Sequence, residues 1–267
     1  MKTSVIACLG RSVALYEYGS ATHPAVLMIH GNSVHSGFFM PLIRLLEPKY
    51  YIITLDLPGH NQSGAWEKDE FSRENLALLF NSVLDHFKIS EVMAFGFSMG
   101  GFMLLESFDL VPAIRKIAIA GHPPLRSVED MPDAYNLNED SALFLQGPLS
   151  ENEIERLYNA VIRINDSHIK SEIVESIRKT SPAFREGCMN IAQHAGDQIA
   201  RLNQFQGPVA IIHAVDDLAI RSEYLEKLQL RNLWEQKIQL IPGSGHFIIA
   251  EKPFELAALL DRFFVAD

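Results

Sequence analysis

Residues 91–108 read EVMAFGFSMGGFMLLESF. The run EVMAFGF (91–97) is short and apolar after Glu91, as a strand buried on both faces is. GGFMLLESF (100–108) is a glycine-led apolar stretch that reads as a buried helix. Between them lies Gly96-Phe97-Ser98-Met99-Gly100, a G-x-S-x-G turn. Composition alone produces such a motif in about one chain of this size in ten, so its place between strand and helix carries the meaning. The turn is sharp enough to strain the serine backbone, and bulky residues two positions either side would collide. Its hydroxyl is then expected at the carboxyl edge of a sheet, over a helix N-terminus whose free N–H groups favour developing negative charge. A plain helix-cap serine is the alternative.

Strands and helices alternate outward from this turn. Residues 3–8 and 11–18 read as a strand hairpin, and AVLMIH (25–30), IITLDL (52–57) and RKIAIAG (115–121) as further strands. FSRENLALLFNSVLDHF (71–87) is helical: Leu76, Leu79, Phe80, Val83, Leu84 and Phe87 follow the spacing of one helix face, with Ser72 as cap. The pattern resumes with GPVAIIHAVDD (207–217), a helix over 222–230, the strand KIQLI (237–241) and a last helix opening at Pro253. Apolar strands alternating with helices predict an α/β fold, a mostly parallel sheet covered on both faces.

From 122 to 206 helices follow one another without strands. Ser150-Glu151-Asn152-Glu153 fits a capping box ahead of the stripe Ile154, Leu157, Tyr158, Val161 and Ile162. Thr180-Ser181-Pro182 reads as another helix start. The expected organisation is a core of 1–121 and 207–267 with a helical cap, 122–206, inserted between its halves.

Composition excludes some partners. The formal charge is −10 and no Lys/Arg cluster occurs, which argues against nucleic acid and anionic membranes. No stretch is apolar and long enough to span a bilayer. Lys2 and Cys8 flank too short an apolar run for a lipoprotein signal. Two scattered cysteines, Cys8 and Cys188, suit small buried hydrophobes in a reduced, cytoplasmic protein.

A serine needs a base to act as nucleophile. His246, in Gly243-Ser244-Gly245-His246-Phe247 between the last strand and the last helix, is placed to be one. The acid that orients it should follow the strand ending near His213, where Asp216 and Asp217 both qualify; Asp217 is preferred. Two backbone donors are expected for an oxyanion, the N–H of Met99 and that of Asn32 in His30-Gly31-Asn32-Ser33. His30, Asp56 and His60 read as structural, holding neighbouring loops.

HGNSVHSGFF, DLPGHNQS, GFSMGG, the VDD loop and GSGHF together resemble the successive landmarks of the α/β-hydrolase superfamily, over roughly the first 120 and last 60 residues. Ala214 departs from the glycine common beside the acid loop. The resemblance implies acyl transfer to water. Relatives with an aspartate nucleophile are excluded by Ser98, and a lyase branch that carries arginine after GFSMGG by Phe102. Neither a clustered H-x-H-x-D-H metal set nor a glycine-rich dinucleotide signature occurs, so no metal or cofactor is expected. Phe102, Met103, Met131, Leu137, Leu143, Phe144, Leu145 and Ile154 could line an apolar pocket for an acyl chain, and Phe102, Phe144 and Leu143 are the residues expected to bind substrate. HGNS…DLPGHNQS with a small helical cap is similar to the N-acyl-homoserine lactonases, the quorum-quenching enzymes. A general carboxylesterase or thioesterase is the alternative within the class. A triad-bearing receptor that only captures a small ligand is the alternative outside it.

Overall fold

The computed structural model describes residues 1–161, 164 and 166–266. Eight strands form one sheet: β1 (Lys2–Cys8), β2 (Arg11–Tyr18), β3 (Ala25–Ile29), β4 (Tyr51–Leu55), β5 (Val92–Phe97), β6 (Ile114–Ala120), β7 (Val209–Ala214) and β8 (Gln239–Ile241). Their spatial order is β1-β2-β4-β3-β5-β6-β7-β8. The β1/β2 hairpin joins β4 antiparallel, and every pair from β4 to β8 is parallel.

Alternate residues of each central strand feed opposite faces, which is why these strands are apolar throughout. Leu27 and Ile29 of β3 and Ile117 and Ile119 of β6 enter one buried cluster, with α2 (Arg73–His86) and α3 (Met99–Ser107). Val26, Met28, Phe95, Ala118 and Ile212 enter the other, under α1 (Met40–Leu46) and the C-terminal α12 (Pro253–Val265). In α2 the expected stripe from Leu76 to Leu84 is buried, and Ser72 caps it by accepting from the Asn75 N–H. Pro253 occupies the first turn of α12.

After β6 the chain forms α4 (Met131–Ala134), α5 (Glu139–Ala142), α6 (Glu151–Val161), α7 (Ser167–Lys179), α8 (Pro182–Gln193) and α9 (Gln198–Gln204), with no strand among the described residues. Ser150 and Glu153 cap α6 reciprocally. Ile154, Leu157 and Tyr158 of its stripe are buried. The Val161 side chain and Ile162 lie outside the described residues. The insertion is not a separate lobe with a core of its own. Leu157 and Ile173 join one sheet-face cluster, while Phe184 and Cys188 join the other. Both cysteines are free and buried.

Two elements are shorter than expected, and the strand read over 237–241 is confined to β8, Gln239–Ile241. The helix anticipated over 222–230 is the single turn α10 (Ser222–Leu225). Leu228, Leu230 and Leu233 all pack against the core, which one helix face cannot arrange at that spacing. The chain instead leaves the helix, and the Asn232 carbonyl accepts from the Val209 N–H at the start of β7. A last short helix, α11 (Ile248–Glu251), precedes α12.

Candidate active site

Ser98 sits between β5 and α3 at φ 52°, ψ −121°, a strained conformation for a residue with a side chain. Its N–H is held by the Ala120 carbonyl at 2.7 Å. The flanking glycines are required by contact. A Cβ on Gly100 would lie 2.2 Å from the Ile29 carbonyl oxygen, and one on Gly96 2.6 Å from the Gly101 Cα. The strand–helix packing therefore forces the serine outward at the carboxyl edge of the sheet.

Two loops from neighbouring strands complete the arrangement. His246, between β8 and α11, brings Nε2 to 2.9 Å from Ser98 Oγ. Asp217, in the turn after β7, places Oδ2 2.8 Å from His246 Nδ1, while its Oδ1 accepts from the Ala219 N–H at 2.7 Å. A carboxylate can only accept, so Nδ1 carries the proton and Nε2 is free to receive one from Ser98. Asp216 is exposed and its backbone N–H bonds the Ser244 carbonyl.

Burial alone would lower the His246 pKa. The Asp217 charge, its hydrogen bond and the charge of Glu251 outweigh burial and hold it above the ordinary imidazole value. Burial pushes the Asp217 carboxyl up, and the His246 charge and hydrogen bond reverse this, keeping it below the usual range. Glu251 also accepts from the Gly245 N–H at 2.8 Å, so it secures the loop that carries the histidine.

The loop after β3 is fixed from beneath. His30 Nε2 accepts from the Leu57 N–H, and its Nδ1–H donates to the Gly31 carbonyl. Burial drives its pKa down to about 4, which keeps it neutral. His60 Nε2 accepts from the Ser33 N–H. Asp56 accepts from Ser36, Tyr16 and Asn61. All three side chains are spent on loop geometry. Asn32 is tied by its own amide, which donates to the Phe144 carbonyl at 2.7 Å.

Ser98, His246, Asn32 and Met99 line one cavity between sheet edge and cap. Its wall is largely apolar. Phe102 and Phe144 both line it, as do Met131, Leu137 and Leu145. Leu143 does not. It is buried in the core cluster with Ile154 and Leu157, on the side of its helical turn that faces the cap interior. Met103 likewise belongs to the core beneath α3. Sequence reading missed His122 and Tyr135, which line the cavity, and Glu251. His122 follows β6 directly, and carboxyl ends of parallel strands are where sites gather, so its position was the available signal.

Among the described residues no helix is long and apolar enough to cross a membrane, and no cluster of three or more metal-ligating side chains occurs. Residues 24–158 match the family profile described as alpha/beta hydrolase fold. A pimeloyl-(acyl-carrier protein) methyl ester esterase of Xanthomonas oryzae pv. oryzae is 30% identical over 257 residues, covering 90% of this chain and 94% of that protein. The uncharacterized hydrolase YugF of Bacillus subtilis is 24% identical, over 91% of each chain. Among solved structures, the N-acyl homoserine lactonase AidH complexed with N-butanoyl homoserine superposes with a TM-score of 0.91 at 26% identity, covering 99% of this chain and 96% of that one.

Proposed function

The chain belongs to the α/β-hydrolase family, and from that premise we propose that it is a serine hydrolase that opens N-acyl-homoserine lactones through an acyl-enzyme. The observation that carries the chemistry is the unbroken Ser98–His246–Asp217 hydrogen-bond line at the floor of an apolar cavity. Ser98 Oγ attacks the lactone carbonyl as its proton passes to His246 Nε2, and Asp217 stabilises the imidazolium. The N–H groups of Met99 and Asn32 receive the developing oxyanion. The imidazolium then protonates the departing ring oxygen, which stays tethered as the homoserine hydroxyl. Water, activated by the same histidine, releases the acyl group.

The lactone assignment is supported by the likeness to AidH over nearly the whole chain, cap included. The 30% identity to a methyl ester esterase favours a second reading, hydrolysis of an open-chain acyl ester. Product analysis separates them. N-hexanoyl-homoserine lactone should yield ring-opened N-hexanoyl-homoserine, at a rate unaffected by chelator. Free homoserine lactone as product would make the enzyme an amidase. Inertness towards lactones with rapid cleavage of methyl esters would establish the second reading.

A further inference from the structure

The cavity wall carries one polar device that the triad does not use. His122 is buried, and its ring reaches Tyr135 Oη through Nδ1 at 2.5 Å and Gln198 Oε1 through Nε2 at 3.2 Å. The proton positions along this line follow from a backbone group. The Leu125 N–H can only donate, and it points at Gln198 Oε1 at 3.0 Å, so that atom is the amide oxygen. The other end agrees. Gln198 Nε2 donates to the Glu106 carboxylate at 2.6 Å, itself ion-paired with Arg201 at 3.0 Å.

With oxygen facing it, His122 Nε2 must carry the proton. Its Nδ1 is then an acceptor, and the Tyr135 O–H is the donor that fills it. Burial, which pushes the His122 pKa down to about 4, leaves the ring neutral and consistent with this tautomer. The Tyr135 hydroxyl has thus committed its one proton. Tyr135 lines the cavity that holds Ser98, and what remains on its oxygen is acceptor capacity alone. The tyrosine can take a hydrogen bond from a substrate and cannot give one.

Resting on the proposed acyl-hydrolase reading, we propose that Tyr135, locked by His122 and Gln198, is a specificity-determining residue that accepts a hydrogen bond from an amide N–H on the acyl portion of the substrate. His122 stands two residues beyond Ala120, whose carbonyl holds the Ser98 N–H, and His122 and Tyr135 line the same cavity as Ser98. An amide nitrogen one carbon removed from that carbonyl is a donor. An ester oxygen in its place presents a lone pair to a lone pair, and a methylene presents nothing.

The test uses three methyl esters of equal length: methyl N-hexanoylglycinate, its analogue with an ester oxygen replacing the amide N–H, and the analogue with a methylene there. Methanol release reports the same cleavage in all three. The wild-type enzyme should prefer the amide over both analogues in kcat/KM by about three- to tenfold, the oxygen analogue being poorest. Tyr135→Phe should abolish that ranking, and Gln198→Leu, which frees the histidine tautomer, should weaken it. A wild-type enzyme that does not discriminate among the three, or a Tyr135→Phe variant that keeps the ranking, overturns the inference while leaving the hydrolase reading intact. No methanol from any of the three overturns the inference, and if N-hexanoyl-homoserine lactone is also left intact the hydrolase reading falls with it.

Discussion

Asp216 and Asp217 are neighbours of the same chemical type, and one peptide bond separates a buried partner of His246 from an exposed side chain. Pattern placed the candidate acid in this loop. The choice within it depends on the turn after β7, where the Asp217 N–H bonds the Ala214 carbonyl and swings that side chain inward. Asp217→Asn should therefore lower kcat by about 10³–10⁴, through loss of tautomer control over the histidine. Asp216→Asn should stay close to wild type, and a reversal in steady-state rates would contradict the geometry. The pH profile tests the same residues. As the proposed base, His246 must be neutral to act, so activity should be lost as pH falls through its pKa, and a raised pKa places that acid limb above the ordinary imidazole value of about 6.5. Glu251→Gln removes one of the charges that raise it, so the limb of kcat/KM should move to lower pH. A limb that stays in place would show that Glu251 acts only on the loop backbone.

Elements were legible where one face or one turn decides them. The strand–serine–helix unit was readable because close contact dictates its glycines, and that contact is now located at the Ile29 carbonyl. Gly100→Ala should displace α3 from β3, with a lowered melting temperature and little remaining covalent labelling of Ser98. Wild-type melting and labelling would show that the turn tolerates a methyl group. The helix expected over 222–230 was not legible, because its leucines answer to β7 and the core rather than to a helical period. Leu143 shows the same limit. Three consecutive residues, Leu143, Phe144 and Leu145, differ in sequence only by a ring, and the direction each faces is set by packing of the cap.

Over the whole molecule, the cap shares both sheet-face clusters, so the cavity is built into the packing of the single fold. An acyl chain held there should gain about 0.8 kcal/mol per buried methylene. Extending the acyl chain from butanoyl to hexanoyl should then raise kcat/KM by up to ~15-fold, and Phe144→Ala should flatten that dependence. Equal efficiencies for both lengths in the wild-type enzyme would mean that the apolar wall does not hold the chain. The polar line behind Tyr135 was invisible in sequence because its members, from Glu106 to Gln198, meet only through the fold.

In the proposed mechanism Ser98 is the group that takes the acyl moiety. Its most direct test is fluorophosphonate labelling followed by intact-mass and peptide analysis of the wild-type, Ser98→Ala and His246→Ala proteins. The prediction is one adduct per wild-type chain, mapped to the peptide containing Ser98, absent in Ser98→Ala and strongly slowed in His246→Ala. An adduct on another residue, or labelling that survives in Ser98→Ala, would contradict it.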